Sequence, residues 1–285
     1  MTVHDPAHLA AVRPGAPLLH DEFRGGLQCA GPSADWQLRP AAGREQGDGV
    51  AVPGEAGLEI APPGRDPETG EPRFAEPAKE PAHVRWAALV RRESSAGFPG
   101  FDALPGGRLT LEAELSVRAF GLQRVAASAD PADPADDADD DPGLALACAA
   151  LITTDRETGL VFDFMLTDRR VYAVYERLGP PDGPKPAFTY TVPVAARVPE
   201  SFHRCVVDYH RDSGTVDWLL DGSRVLTVDR IGERLPDAVR ATRDNGRPAG
   251  LERPRQLTVG LGLFAERTLG QGARLTVRRV SVQRG

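Results

Sequence analysis

The feature that most constrains the fold is a two-residue alternation of side chains in 108–118 (RLTLEAELSVR). Apolar residues at 109, 111, 113, 115 and 117 alternate with polar residues at 110, 112, 114 and 116. Successive side chains of a β-strand point to opposite faces, so this period is typical of a strand with one buried face. The segment therefore predicts a strand that packs on a hydrophobic core.

Further strand-like segments follow one another at short intervals. They are 84–91, 144–153, 159–166, 170–177, 187–194, 202–210, 215–221, 225–231, 256–266 and 274–283. Turn sequences at 212–214 (DSG) and 221–222 (DG) separate three of them and predict hairpins. Residues 235–242 fit a short helix. Because strands do not alternate with long helices, doubly wound α/β folds are excluded and an all-β fold is expected.

The length and composition favour one domain with two irregular segments. With 41% apolar residues the chain can bury a sizeable core, and we expect a single sandwich over 18–285 after a flexible arm at 1–17. The segment 125–143 (VAASADPADPADDADDDPG) is acidic and broken by prolines, which predicts a disordered surface loop. Its seven Asp residues match the net charge of −7, so the rest of the chain is about neutral.

Several classes of function are disfavoured by what the sequence lacks. No basic tract is present, so we expect no binding to nucleic acid. No apolar run is long enough for a secretion signal or a membrane span, which predicts a cytoplasmic protein without membrane contact. Cys29, Cys148 and Cys205 are far apart in sequence, so neither a disulfide framework nor a zinc site is expected. No cofactor is predicted, and the oligomeric state stays open.

Three motifs resemble those of one known family. They are 18–25 (LLHDEFRG) followed by Trp36, then 202–228 (FHRCVVDYHRDSGTVDWLLDGSRVLTV), and the closing 275–283 (LTVRRVSVQ). In this order they are similar to motifs of laminarinase-like glycoside hydrolases, within the concanavalin A-like lectin and glucanase superfamily, and to an uncharacterised bacterial branch of it. The resemblance implies a two-sheet antiparallel β-sandwich of the jelly-roll type, with a ligand groove on a concave sheet.

The catalytic strand of that family is the point at which this chain departs from it. The family carries Glu-x-Asp-x-Glu there, because retaining hydrolysis uses two carboxyl groups about 5 Å apart. The matching strand here keeps Asp163 but has Val161 and Met165 or Leu166 at the outer positions. Hydrolysis by the family mechanism is therefore not expected. Arg278 stands where the family often has a calcium-binding Asp, so no metal site is predicted.

Strand alternation defines the candidate site. Val161, Asp163 and Met165 share one face of their strand, and Tyr172 and Glu176 share one face of the next strand while Tyr175 and Arg177 share the other. A partly desolvated Asp163 in the groove would suit acid/base chemistry. The predicted ligand-binding residues are Asp163, Met165, Tyr172, Tyr175, Arg177, Glu112 and Glu114, and the catalytic residues of an enzyme would be Asp163, Tyr175 and Glu176.

Three functions fit these residues. The first is non-hydrolytic binding of a small organic or carbohydrate ligand in the groove. The second is a cofactor-independent isomerase, cyclase or lyase that moves protons on a metabolite with Asp163 and its neighbours. The third is a protein-interaction module that uses a sheet surface or the acidic loop. The sequence does not decide whether the chain is an enzyme.

Overall fold

A computed structural model of the chain describes residues 17–32, 34–77, 83–123, 141–180, 182–236 and 238–285. These residues form two antiparallel β-sheets packed face to face. The predicted all-β, two-sheet jelly-roll sandwich is thereby confirmed. The arm predicted at 1–17 and the acidic loop predicted at 125–143 lie almost wholly outside the described residues.

The first sheet has eight strands in the described residues. Seven form the order β14-β13-β12-β7-β17-β4-β3, and β1 also pairs with β17. The strands are β1 (Leu19–Asp21), β3 (Val50–Gly54), β4 (Gly57–Ala61), β7 (Arg108–Phe120), β12 (His203–His210), β13 (Thr215–Leu220), β14 (Ser223–Val228) and β17 (Gly272–Arg284).

The second sheet has nine strands in the described part of the chain. Its order is β15-β11-β10-β9-β8-β16-β5-β2, and β6 pairs with β16. The strands are β2 (Trp36–Leu38), β5 (Val84–Val90), β6 (Phe101–Asp102), β8 (Cys148–Asp155), β9 (Leu160–Leu166), β10 (Arg170–Arg177), β11 (Phe188–Ala196), β15 (Arg243–Asp244) and β16 (Gln256–Phe264). One short helix, α1 (Gly143–Leu146), precedes β8.

The core lies between the two sheets and follows the strand alternation. In β7 the odd-numbered apolar residues from Leu109 to Val117 are all buried, as the sequence pattern predicts. Trp36, Trp86 and Trp218 also lie in this core, and none has more than 1% of its surface exposed. These large rings fill part of the space between the sheets.

The N-terminal motif is explained by one hydrogen-bonded residue. Asp21 ends β1, and its Oδ2 accepts a hydrogen bond of 2.8 Å from the indole nitrogen of Trp36 in the other sheet. Its Oδ1 accepts one of 2.7 Å from the backbone N–H of Phe23. Asp21 therefore fixes both the turn that follows β1 and a core tryptophan, which is a structural role.

Two local predictions differ from the structure. The helix expected at 235–242 is wrong, since its described residues form turns and irregular backbone. The strand expected to begin at residue 144 begins instead at Cys148, because α1 occupies the preceding residues. No helix among the described residues combines the length and the apolar character that a membrane crossing needs.

Candidate functional site

The outer face of the second sheet carries the sequence-predicted Asp163. Val174 of β10 lies directly opposite Asp163 of β9, so these two side chains share a face. Strand alternation places Val161 and Tyr172 on the same face. Although this face points away from the core, Val174 is only 4% exposed, Tyr172 6% and Asp163 8%. These residues are therefore largely shielded from solvent. We call the surface that they form the outer-face floor. It also includes the residues described below, which are Leu89, Ile152, Met165, Glu176 and Phe264.

Two glycines of β16 make room for the apolar part of this floor. A Cβ atom at Gly260 would lie 2.3 Å from Leu89 Cδ2 and 3.5 Å from Ile152 Cβ. A Cβ atom at Gly262 would lie 2.5 Å from the ring of Phe264 and 3.0 Å from Ile152 Cδ1. The three apolar side chains thus lie flat over the glycines, and Ile152 and Phe264 stay half-exposed. This arrangement gives an apolar surface beside Asp163.

One oxygen of the Asp163 carboxyl group is held by the backbone and the other is open. Oδ1 accepts a hydrogen bond of 2.7 Å from the N–H of Thr153 at a gap in the β8–β9 ladder. Within the described residues Oδ2 makes no hydrogen bond. Burial raises the pKa of Asp163 well above its ordinary value, the Thr153 N–H opposes this rise, and the charge of Glu176 adds to it.

Glu176 is the second carboxyl group on the floor. It lies opposite Val161, which makes it a diagonal neighbour of Asp163. Its Oε1 accepts a hydrogen bond of 2.8 Å from Thr189 Oγ1. Burial raises the pKa of Glu176, while the Thr189 hydrogen bond and the charges of Arg243 and His83 act in the opposite direction.

Met165 and Tyr172 complete the set that the structure brings together. The two residues lie directly opposite each other on β9 and β10. Met165 is half-exposed, and the Tyr172 hydroxyl donates a hydrogen bond of 3.3 Å to Asp141 Oδ2. Asp141 also accepts a hydrogen bond from the Thr167 hydroxyl. The last residue of the acidic run is thereby tied to the rim of the floor.

Tyr175 and Arg177 are not part of this face, contrary to the expectation that they join Asp163. Both have the opposite strand parity and point to the core side of β10. The Tyr175 hydroxyl accepts a hydrogen bond of 2.7 Å from Gly232 N–H and donates one of 2.8 Å to the Glu233 carbonyl. Arg177 forms an ion pair of 2.7 Å with Glu252. Their contacts fix the segment after β14 and are structural.

Glu112 and Glu114 are also separated from Asp163, because β7 belongs to the other sheet. They lie on the outer face of the first sheet and pair with arginines. Glu112 binds Arg204 at 2.7 Å and Arg279 at 2.9 Å. Glu114 binds Arg278 at 2.7 Å. These carboxylates belong to an ion-pair network on the opposite side of the sandwich.

The outer face of the first sheet also holds one group of possible metal ligands among the described residues. Asp208, His210 and Asp217 have ligand atoms within 4.8 Å of one another. However, Arg108 contacts both carboxylate oxygens of Asp208, and Arg224 forms an ion pair of 3.4 Å with Asp217. The charges are thus already compensated by protein groups.

Sequence reasoning identified Asp163, Met165, Tyr172 and Glu176 for this face but missed other parts of it. The half-exposed Ile152 and the glycines Gly260 and Gly262 read as ordinary strand residues, and only the pairing of β16 with β5 and β8 shows their role. The polar groups of the floor can bind a ligand through hydrogen bonds and exchange protons with it, while Leu89, Ile152 and Phe264 contact its apolar parts.

Known proteins similar to this chain fall into two groups. An uncharacterised protein of Acanthamoeba polyphaga mimivirus is 28% identical over 44% of the chain, which spans only 42% of that relative's length. Among solved structures, the Crh5 transglycosylase in complex with NAG has a TM-score of 0.49 at 13% identity, with 93% of this chain and 83% of that chain covered. The laminarinase catalytic domain from Thermotoga petrophila has a TM-score of 0.45 at 15% identity, with 94% and 96% covered.

The family comparison covers nearly the whole described chain. Residues 20–285 match a family described as a family of unknown function, DUF6081. The match begins within β1 and continues through β17, so it includes both sheets and every residue of the outer-face floor. The chain belongs to this family of unknown function, DUF6081.

Proposed function

We propose that the outer-face floor binds a small organic or carbohydrate ligand without hydrolysing it. The observation that carries this proposal is the state of Asp163, which is 8% exposed on a face that points away from the core, with Oδ2 left without a hydrogen bond among the described residues. A carboxyl group in this setting stabilises the fold through one oxygen only. Its other oxygen is available to a bound molecule.

The neighbouring contacts define the chemistry of the ligand. The flat apolar surface of Leu89, Ile152 and Phe264 suits the carbon skeleton of a sugar ring or a related small molecule. Burial raises the pKa of both Asp163 and Glu176, so each carboxyl group keeps its proton to a higher pH than an exposed one does. A protonated carboxyl group can donate as well as accept hydrogen bonds. A neutral ligand with hydroxyl, ether or carbonyl oxygens matches this combination.

The test is ligand binding to the purified chain with one variant that fills the floor. Thermal shift and calorimetry would be run with neutral oligosaccharides and with a metabolite extract, and the bound molecule would be identified by mass spectrometry. A ligand at 100 times its dissociation constant stabilises the fold by about 2.7 kcal/mol. We expect the wild type to bind and release the ligand unchanged.

Ile152→Trp is expected to abolish this binding, because the indole would cover the apolar surface. Leu219→Trp is the matched control, since Leu219 is a half-exposed residue of β13 on the outer face of the other sheet. If Ile152→Trp binds as well as the wild type does, the ligand does not occupy this floor and the proposal fails.

A second candidate is favoured by one further observation. Asp163 and Glu176 are diagonal neighbours, and burial raises the pKa of each towards the range in which a carboxyl group can exchange protons with a substrate. A cofactor-independent isomerase, cyclase or lyase would therefore use these two carboxyl groups as proton donor and acceptor. In that case mass spectrometry would show a product that disappears in Asp163→Asn and in Glu176→Gln, although both variants still bind.

A further inference from the structure

A serine, a histidine and an aspartate form a hydrogen-bonded chain at the end of the first sheet, away from Asp163. Ser201 Oγ lies 3.1 Å from His203 Nε2, and His203 Nδ1 lies 2.8 Å from Asp221 Oδ2. Each ring nitrogen of the imidazole therefore faces one partner. This order of groups is the order found in serine nucleophiles that are activated by a histidine.

The fold fixes the acid and the base of this chain. His203 is the first residue of β12, and Ser201 precedes it by two residues on the same side of the backbone. Asp221 follows β13, which pairs with β12. The Oδ1 of Asp221 accepts a hydrogen bond of 2.8 Å from the Arg204 N–H, so the carboxylate is oriented towards the imidazole.

The backbone around Ser201 is also held in place. Glu200, directly before it, has a φ of 64°, which is rare for a residue other than glycine. Its carboxylate binds Arg118 at 3.3 Å and Arg274 at 2.6 Å. The nearly buried Arg197 donates a hydrogen bond of 2.9 Å to the Ser201 carbonyl oxygen. A left-handed residue beside a fixed serine is the kind of local strain that occurs at reactive sites.

The Ser201 hydroxyl has two acceptors within reach. It lies 2.7 Å from the Val198 carbonyl oxygen and 3.1 Å from His203 Nε2. Rotation about the Cβ–Oγ bond redirects the hydroxyl hydrogen from the Val198 carbonyl oxygen to His203 Nε2. Within the described residues the N–H of Phe202 makes no hydrogen bond, which leaves a donor next to the serine for a developing oxyanion.

We infer that Ser201, His203 and Asp221 form a nucleophilic centre that cleaves esters of small acyl groups. Ser201 and His203 are half-buried and not enclosed, so a small ester can approach the hydroxyl. Val198 is 67% exposed and offers an apolar contact to the acyl chain. The centre is independent of the outer-face floor, because its residues belong to the other sheet.

The reaction has two steps, acylation of Ser201 and hydrolysis of the acyl-serine. Ser201 Oγ forms a bond to the ester carbonyl carbon while its proton moves to His203 Nε2, and Asp221 stabilises the resulting imidazolium. The C–O bond to the alcohol then breaks, and the alcohol leaves with the proton from His203. Water, activated by the neutral imidazole, attacks the acyl-serine and releases the carboxylic acid together with free Ser201.

The experiment treats the intact chain with a fluorophosphonate probe and locates the modified residue by peptide mass spectrometry. Hydrolysis of p-nitrophenyl butyrate is followed in parallel. We expect labelling at Ser201, no labelling or hydrolysis in Ser201→Ala, and a loss of at least about tenfold in both rates for Asp221→Asn. Asparagine tolerates the left-handed backbone at 221, where φ is 51°, so this variant keeps the turn.

Ser213→Ala is the matched control, since Ser213 Oγ donates to a backbone carbonyl at 3.4 Å and has no imidazole partner among the described residues. We expect it to react like the wild type. The inference is overturned if Ser201 stays unmodified in the folded wild type, or if Ser213 is labelled at a similar rate. Melting temperatures of all variants identify any that fail to fold.

Discussion

The indole nitrogen of Trp218 donates a hydrogen bond of 3.0 Å to the carbonyl oxygen of Asp163. Trp218 lies on the inner face of the first sheet and Asp163 on β9 of the second, so this bond joins the two sheets through the core. It occurs where the β8–β9 ladder is interrupted and a strand carbonyl needs another partner. At this interruption, Thr153 N–H therefore bonds the carboxyl group of Asp163 on one side, and Trp218 bonds its carbonyl oxygen from the core side.

Loss of this bond should destabilise the fold by more than the lost ring atoms explain. We expect Trp218→Phe to lower the free energy of unfolding by about 2–3 kcal/mol, since a buried carbonyl is left without a donor. Trp86→Phe removes the same atoms from a core indole that makes no hydrogen bond in the described part of the chain, and should cost less. Urea denaturation of both variants measures the difference, and equal losses would contradict the structural role of the bond.

The stability of the protein should depend on pH through Asp163. Its pKa in the folded state is raised, chiefly by burial, so the folded protein holds the proton more tightly than the unfolded chain does. The contribution of Asp163 to stability is therefore fully present below the ordinary Asp pKa of about 4. It is lost as the pH rises through the raised pKa of the folded state. Asp163→Asn cannot ionise, so its free energy of unfolding in urea should fall less than that of the wild type as the pH is raised from about 5 to about 8.

Glu112 supplies a control of opposite sign for that experiment. Burial would raise its pKa, but hydrogen bonds and charges of Arg204 and Arg279 outweigh burial and lower it. The stability contributed by Glu112 is thus present above its ordinary pKa and is lost as pH falls through the lowered folded value. In Glu112→Gln the decrease in the free energy of unfolding at acidic pH should be smaller than in the wild type. The decrease at higher pH that Asp163 causes should persist. The same pH response in both variants would refute this assignment.

A methyl group added at Gly260 should disturb the outer-face floor. Its Cβ would lie 2.3 Å from Leu89 Cδ2 and 2.7 Å from the Ala88 carbonyl oxygen. We expect Gly260→Ala to cost about 1–3 kcal/mol, as overpacking does elsewhere. At Gly250 a Cβ meets no atom within 4 Å, so Gly250→Ala should leave the melting temperature nearly unchanged. Comparable melting temperatures for the two variants would show that the glycine of β16 is not required.

Removal of the Tyr175 hydroxyl tests its placement in the core. Tyr175→Phe leaves the buried N–H of Gly232 without its acceptor and should lower stability by about 1–3 kcal/mol. Ligand binding to the outer face should be retained, because the ring points to the opposite side of β10. Calorimetry on the folded variant checks this. If the variant has normal stability but no longer binds the ligand, Tyr175 belongs to the ligand site and this placement is wrong.

The face of each strand residue was predictable, but the pairing between strands was not. Alternation within β10 separates Tyr172 and Glu176 from Tyr175 and Arg177, yet it does not show which pair accompanies Asp163. That depends on the register, in which Asp163 faces Val174. A shift by one residue would bring Tyr175 to the outer face, because the side-chain period of a strand is two.

Contacts between distant segments explain the remaining differences. The pattern of β7 predicted a strand with one polar face, but its assignment to the first sheet follows from pairing with β12 and β17, which are far apart in sequence. Glu112 and Glu114 are therefore on the side opposite to Asp163. Likewise, His203 meets Asp221 only because the β12–β13 hairpin brings residues 18 positions apart together.

The bond between Trp218 and Asp163 also makes the core sensitive to events on the surface. The residue whose carboxyl group faces the outer floor is the residue whose carbonyl oxygen holds the indole. A molecule that forms a hydrogen bond with that carboxyl group would alter the polarity around the indole N–H. Trp218 is thus a built-in fluorophore for occupancy of the outer face, and its emission would report binding without any added label.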